Sequence, residues 1–377
     1  MGVIVSLLVF SILLGGAFGR SFSQQPILTL KARPVPSHST NLIWNRHIAN
    51  NGQVYDCVDF YKQPAFNHPS LKDQIAKFRP SLVEDDGKLA KNIGLKNGGC
   101  PSGTVPILRY SYNLTAGRGE ISQPPPTPPQ QHCSAVIATT LDDMNRKFYG
   151  TSADLSLHKP VVQSSQWSSA RVKLSNGLES IEAGWMVNPS FFHDNEAHLY
   201  AKFTSRQEEC LNHACPGFVQ VSKSVALGDT PQKYSSIGGT QYSWNITIQK
   251  HPDDGNWWMT LSIDDPFPVG YWPGSLFTSL KEVANQVSWG GEINNPESIS
   301  PHPEMGNSRK ASYDTANSAF CAHVTVDTDT SIYVEPQGTQ KVYHCPSSYT
   351  VLDEGYQGEY WGRLMYYGGY LSAINNA

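Results

Sequence analysis

The sequence predicts a mainly β protein: a large antiparallel β-sandwich domain with a small domain in front of it. Three observations carry that expectation. Gly (31) and Pro (26) punctuate the 377 residues densely, which suits many short strands joined by turns. Aromatic residues make up 11% of the chain and charged residues 16%, so a sizeable core can form and a highly charged, solvating chain is excluded. Downstream of residue 132 apolar residues recur with period two. Tyr242, Trp244, Ile246 and Ile248 alternate with polar neighbours, as do Met259, Leu261 and Ile263, with similar runs from His198 to Ser205 and from Ala319 to Val326. The formal net charge of −4 argues against general nucleic-acid binding.

In chain order, the first element is an address. Val3 to Leu14 is almost wholly apolar, the length of a signal-peptide core and too short to span a bilayer. Ala17, Phe18 and Gly19 offer a small-x-small cleavage site before Arg20. Residues 1–19 are therefore expected to be a signal peptide, and the mature chain a secreted or vacuolar protein with no membrane span. Residues 20–131 hold 13 Lys+Arg and 7 Asp+Glu, a net charge of +6, whereas 132–377 hold 15 and 25, net −10. A proline-rich run, residues 123–131, separates them and reads as an extended connector. A basic region joined by such a linker to an acidic domain suits a propeptide on an enzyme; two independent domains fit the charges equally well.

In the second region one helix is expected, because Leu276, Leu280, Val283, Ala284 and Val287 follow the 3.6-residue period after a plausible N-cap at Ser275. The rest reads as strands. In Ile181-Glu-Ala-Gly-Trp185, Ile181, Ala183, Trp185 and Val187 share one strand face and Glu182 lies on the other beside Gly184. In Trp289-Gly-Gly-Glu292, Glu292 shares a face with Gly290. A carboxylate beside glycines leaves room for a chain to approach the backbone, although a solvated strand-face Glu shows the same pattern. Neither a G-x-S-x-G elbow nor an H-E-x-x-H pair occurs. His193 and His198 read as loop and strand residues, and no metal or other cofactor is implied. Seven cysteines suit an oxidising compartment. Spacing pairs Cys57 with Cys100, Cys210 with Cys215 and Cys321 with Cys345, leaving Cys133 over. Asn113 and Asn245 head glycosylation sequons.

Several motifs resemble the neprosin family of plant secreted proteins over most of the chain. Asp56-Cys-Val-Asp-Phe-Tyr-Lys-Gln-Pro-Ala-Phe-Asn-His-Pro69 and Cys100-Pro-Ser-Gly-Thr-Val-Pro106 are similar to its activation peptide. Ile181-Glu-Ala-Gly-Trp-Met-Val-Asn-Pro189, Cys215-Pro-Gly-Phe-Val-Gln220, Gly255-Asn-Trp-Trp258, Val269-Gly-Tyr-Trp-Pro273 and Trp289-Gly-Gly-Glu292 resemble its catalytic domain. The stretch Glu208-Glu-Cys-Leu-Asn-His-Ala-Cys215 departs from the family's Thr-Gly-Cys-Tyr-Asn pattern. The resemblance implies a glutamic peptidase that cleaves after proline at acid pH, with Glu182 and Glu292 as its catalytic pair. Many relatives carry Gln at the first position. Gln donates a hydrogen bond but is no base, so Glu292 is the expected base and Glu182 the expected acid and oxyanion donor. Two such carboxyls near one water are expected to titrate apart. Trp185, Tyr271, Trp272 and Trp289 are candidates for an aromatic slot holding a proline ring, although core packing is the more ordinary role for any one of them. The expected partners are proline-containing peptides and the chain's own propeptide. The competing classes are a carbohydrate-binding module, from the Trp and Tyr content of a sandwich, and a glycosidase, from the paired carboxylates.

Overall fold

The architecture comes from a computed structural model. It describes residues 43–48 (backbone only), 52–72, 93–95, 99–109, 131–141, 146–263, 266–296, 299–328, 332–345 and 348–370. The expected signal peptide and Asn113 lie outside these residues, as does the linker apart from Gln131, with which the fourth strand begins.

The strands run in chain order as β1 (Ile43–Ile48), β2 (Val54–Asp59), β3 (Thr104–Leu108), β4 (Gln131–Thr139), β5 (Gly150–Ser156), β6 (Trp167–Asn176), β7 (Glu179–Val187), β8 (His198–Thr204), β9 (Glu209–Leu211) and β10 (Val219–Gln220). They continue as β11 (Ser243–Lys250), β12 (Trp257–Ser262), β13 (Pro266–Trp272), β14 (Gln286–Asn295), β15 (Ala319–Asp327), β16 (Tyr333–Val334), β17 (Thr339–Tyr343), β18 (Tyr349–Tyr356) and β19 (Arg363–Gly369). Every pairing is antiparallel. One sheet has seven strands in the order β17-β4-β14-β6-β7-β8-β9. The other has nine, in the order β10-β13-β12-β11-β5-β15-β19-β18, with β16 beside β15. The two sheets face each other across one core, and buried tryptophans tie them together. Trp185 Nε1 on β7 donates to the Ser156 carbonyl at 2.9 Å, and Trp289 Nε1 on β14 donates to Thr151 Oγ1 at 2.8 Å. The expected sandwich is present, and the period-two runs fall on β8, β11, β12 and β15 with Trp244, Ile246, Ile248, Met259 and Leu261 buried in the core.

The expected helix over 276–287 does not form. Gly274–Leu276 makes a single 3-10 turn, and Val287 already belongs to β14. Long-range partners take the backbone groups a helix would have used. The buried Glu179 carboxylate accepts from the N–H groups of Thr278, Ser279 and Leu280 at 2.6–3.0 Å. Asn176 Nδ2 donates to the carbonyls of Ser279 and Val283, and Trp257 Nε1 to that of Leu280. Once these polar groups are satisfied elsewhere, the apolar periodicity alone does not select a helix. Leu280, Ala284 and Val287 are nevertheless buried, so the pattern marks burial correctly.

The front region forms a three-stranded sheet, β1-β2-β3, clasped by a Cys57–Cys100 disulfide. Among the described residues it packs on the sandwich through apolar and hydrogen-bonded contacts. Gln63 and Gln220 exchange bonds: the Gln220 N–H donates to Gln63 Oε1 at 2.8 Å and Gln63 Nε2 donates to the Gln220 carbonyl at 3.1 Å. The N–H groups of Leu95 and Cys100 donate to the carbonyls of Ser224 and Lys223. Gly94 N–H donates to the buried Asp229, whose carboxyl burial pushes up to about 6. Tyr55, Leu95 and Leu108 join Phe192 and Ala226 in a small apolar cluster. His68 Nε2 lies 3.1 Å from Glu208 Oε1.

Two further disulfides lie in the sandwich, Cys210–Cys215 and Cys133–Cys345. The second corrects the expected Cys321–Cys345 bridge and the idea of Cys133 as a leftover thiol. Strand β17 pairs with β4, Tyr343 facing Ala135, so the chain two residues on arrives beside Cys133. Cys321 sits on β15 in the opposite sheet, free and buried.

Candidate active site

The two faces of the seven-stranded sheet carry different chemistry. On β7, Ile181, Ala183, Trp185 and Val187 enter the core, as the alternation required. The residues between them, with their counterparts on β14 and β6, turn to the other face. There Glu292 on β14 is opposite Ser169 on β6, and Glu182 on β7 is opposite Lys173 on β6. Between those rungs lies Arg171, opposite Gly290 on one side and Gly184 on the other. Both glycines are required by space. A Cβ at 184 would come within 1.9 Å of the Ala170 carbonyl oxygen, and one at 290, where φ is +131°, within 2.4 Å of that of Ala135. The bare floor on either side of Arg171 brings Glu182 and Glu292 to one guanidinium.

Glu182, Glu292 and Arg171 are 3%, 6% and 3% exposed. The Arg171 Nη2 group donates to Glu292 Oε1, and Nη1 donates to Ser288 Oγ at 2.8 Å and to its carbonyl at 3.2 Å. Arg171 Nε lies 3.8 Å from Glu182 Oε2. Neither of these last two atoms has a hydrogen-bond partner. Lys173 Nζ is 3.3 Å from the same Oε2, and Lys202 Nζ is 3.9 Å from Oε1 while pairing with Glu209 at 2.9 Å. Tyr200 OH donates to Glu182 Oε1 at 3.2 Å. His132 Nε2, at the start of β4, is 3.6 Å from Glu292 Oε2. A buried donor without a partner costs about 1–3 kcal/mol, so the orphaned Nε–H and Oε2 mark the part of the site where a polar group is wanted.

The cations decide the titration. Burial alone would raise the Glu292 carboxyl, but Arg171 and then His132 outweigh it and hold Glu292 well below the usual carboxylate range. Burial would also raise Glu182; Lys202 and Lys173 outweigh it against the opposing charge of Glu292, and the net shift is again downward. Mutual repulsion is thus present but does not lift either carboxyl above its ordinary value. Arg171 donates directly to Glu292, whereas Glu182 lacks that hydrogen bond. Because folding lowers both, the cluster stabilises the fold above the ordinary glutamate pKa, and that contribution is lost as pH falls through the lowered values.

The four expected slot residues are elsewhere. Trp185, Trp272 and Trp289 are fully buried and Tyr271 nearly so, all within the sandwich core. Trp185 and Trp289 face away from the glutamates because each is an odd number of residues along its strand from its Glu. On the dyad face the apolar group is instead Met186, Tyr200 and Leu211, with Trp167 and Phe191 partly buried against them. His193 is exposed at a left-handed position, whereas His198 is buried with Nε2 2.6 Å from Asp194 Oδ1. Asn245 is half-buried on β11, and its Nδ2 donates to Asp154 at 2.7 Å and Ser152 at 3.1 Å, so the amide that a glycan would need is engaged. Sequence reasoning missed Arg171, Lys173, Lys202, Tyr200 and His132. The alternation of Arg171 and Lys173 on one strand was the available signal, but their partners are on other strands.

The Neprosin family model matches residues 164–370, a stretch that includes both glutamates and Arg171. The chain belongs to the neprosin family. The model of the neprosin activation peptide matches residues 48–114, which hold β2, β3 and their disulfide. Among solved structures the chain is similar to scytalido-glutamic peptidase with a peptide-based transition state analog, at 10% identity, covering 64% of this chain and 98% of that one, with a TM-score of 0.36. It is likewise similar to SCP-B, a member of the eqolisin family of peptidases in complex with the tripeptide Ala-Ile-His, at 10% identity and the same coverages, with a TM-score of 0.34. The sandwich of this neprosin-family chain extends upstream of the catalytic match, since β4 and β5 precede residue 164.

Proposed function

We propose that this chain is the precursor of a secreted, acid-acting glutamic endopeptidase that cuts after proline, with residues 20–131 as its propeptide and 132–377 as its catalytic domain. The observation that carries the reading is the buried pair Glu182 and Glu292 on either side of Arg171, which donates to Glu292 but not to Glu182. Over an acidic window Glu182 is protonated while Glu292 stays ionised. Glu292 then takes a proton from water as the water oxygen bonds to the scissile carbonyl carbon. The carbonyl π pair moves to its oxygen, which receives the Glu182 proton. On collapse the C–N bond breaks, the leaving nitrogen takes the proton from Glu292, and the re-forming carbonyl returns its proton to Glu182. Water is consumed and both glutamates are restored.

Both carboxylates are buried in the full-length chain, which suits a latent precursor. A linker rich in proline, the residue after which the proposed enzyme cuts, supports processing there. Self-cleavage near Pro128 or Pro129 would leave a mature chain beginning close to Gln130. The test acidifies wild-type and Glu182→Gln precursors separately and follows the products by mass spectrometry, beside cleavage of a proline-containing peptide. Wild type is expected to cut its linker and the peptide. Linker cleavage of purified Glu182→Gln at the wild-type rate would exclude autocatalysis, and an acidified wild type that leaves the peptide intact would refute the peptidase reading.

A further inference from the structure

The proposed dyad leaves unexplained why an arginine is buried between the two glutamates with its Nε–H unused. We infer that Arg171 is itself a catalytic residue: its Nε–H and the protonated Oε2 of Glu182 form a two-donor cradle for the oxyanion. The inference rests on the peptidase reading above and adds a third member to the site.

Arg171 Nη1 is occupied by Ser288 and Nη2 by Glu292, which hold the guanidinium plane fixed. The Nε–H therefore has a set direction, and it lacks a hydrogen-bond partner. The nearby acceptor, Glu182 Oε2, is 3.8 Å away, too far for a bond between them. Glu182 Oε1 already accepts from Tyr200 OH, so an acid proton on Glu182 resides on Oε2, the oxygen without a hydrogen bond. At acid pH both orphaned atoms are then donors. Two donors 3.8 Å apart both reach one oxygen at about 2.9 Å, the distance an oxyanion hole uses. Among the described residues no side chain fills that position, and a substrate carbonyl oxygen would.

The charged groups facing the pair are consistent with the assignment. Lys173, on the same strand as Arg171, stands 3.3 Å from Glu182 Oε2 but has its side chain 29% exposed, so it is free to turn to solvent once Glu182 is neutral. Lys202 on β8 is held by Glu209. His132 on β4 faces Glu292, not the gap. Arg171 stays charged throughout, as its raised pKa requires. The oxygen thus receives a proton from Glu182 and a fixed hydrogen bond from Arg171; no electron or further reactant is needed.

The test compares full-length wild type, Arg171→Lys and Arg171→Gln, each cut in the linker by an added protease that is then removed. Lys keeps the positive charge beside Glu292 but has no second, fixed N–H to offer the gap. The expected result for Arg171→Lys is a fall in kcat of about 10²–10³-fold, KM near the wild-type value, and an acid limb of the pH profile that does not move. Arg171→Lys turning over at the wild-type rate would overturn the inference. So would a loss that is recovered in full at higher pH, since that would mean Arg171 acts only by keeping Glu292 ionised. If neither variant folds by circular dichroism, wild type supplies the readout with two peptide isosteres. A phosphinate, which presents a tetrahedral oxygen, should bind at least about 10²-fold tighter than a reduced amide, which has none; equal affinities would overturn the cradle. An active wild type with an unaffected Arg171→Lys refutes only the cradle, whereas an inactive wild type refutes the peptidase reading and the cradle with it.

Discussion

The two faces of the seven-stranded sheet are built from alternate residues of the same strands, yet they share almost no chemistry. On β14 the core face presents Val287, Trp289 and Ile293, and the opposite face presents Ser288, Gly290 and Glu292. On β6 Ala170, Val172 and Leu174 point into the core, and Ser169, Arg171 and Lys173 away from it. The core face is continuous apolar packing tied to the second sheet by indole hydrogen bonds. The other face holds two acids among three cations and the His132 ring, with glycines keeping the floor bare. A register slip of one residue would exchange the two faces, so the packing of Trp185 and Trp289 is what aims Glu182 and Glu292. Stability and chemistry are therefore separable by mutation at neighbouring positions.

The largest separation is expected at Glu292. Glu292→Gln removes the proposed base and should lower kcat by about 10³-fold or more, with far-ultraviolet circular dichroism unchanged. Glu182→Gln should lose less, because Gln still donates to the oxyanion. Steady-state kinetics on the processed forms decides, and wild-type turnover in Glu292→Gln would show that the polar face is not catalytic.

One residue away the outcome should invert. Trp289→Ala vacates the middle of the core and cuts the bond to Thr151, so it should destabilise the fold by about 3–5 kcal/mol. The fraction that remains folded should keep the cleavage preference of wild type. Urea unfolding gives the first quantity and peptide-library cleavage the second. A changed cleavage preference with unaltered stability would restore Trp289 as a slot residue.

The smallest effect is a shift of pH dependence. Lys202 helps to hold the Glu182 carboxyl down, so Lys202→Met should let it rise toward the ordinary glutamate value. If Glu182 acts protonated, the alkaline limb of kcat/KM lies where it loses its proton, and that limb should move to higher pH. A limb that stays in place or moves down would give the acid role to another group.

Period-two runs of apolar residues were enough to locate β8, β11, β12 and β15, because strand alternation is a local property that burial of one face imposes on neighbouring residues. The same rule put Glu182 opposite its core-facing neighbours. What it could not supply was any pairing across the sheet. That Arg171 lies between Glu182 and Glu292 depends on β14, β6 and β7 being adjacent, with 121 residues between Arg171 and Glu292. The Cys133–Cys345 bridge joins positions 212 residues apart, and spacing along the chain carries no trace of the β4–β17 pairing that brings them together. The residues 276–287 show the limit most directly: their apolar period was legible and their burial followed, but the buried carboxylate of Glu179, roughly a hundred residues away in sequence, claimed the backbone N–H groups. Local periodicity reports which residues avoid water. Which polar groups meet, and so which acids titrate together, is set by contacts that exist only once the strands have paired.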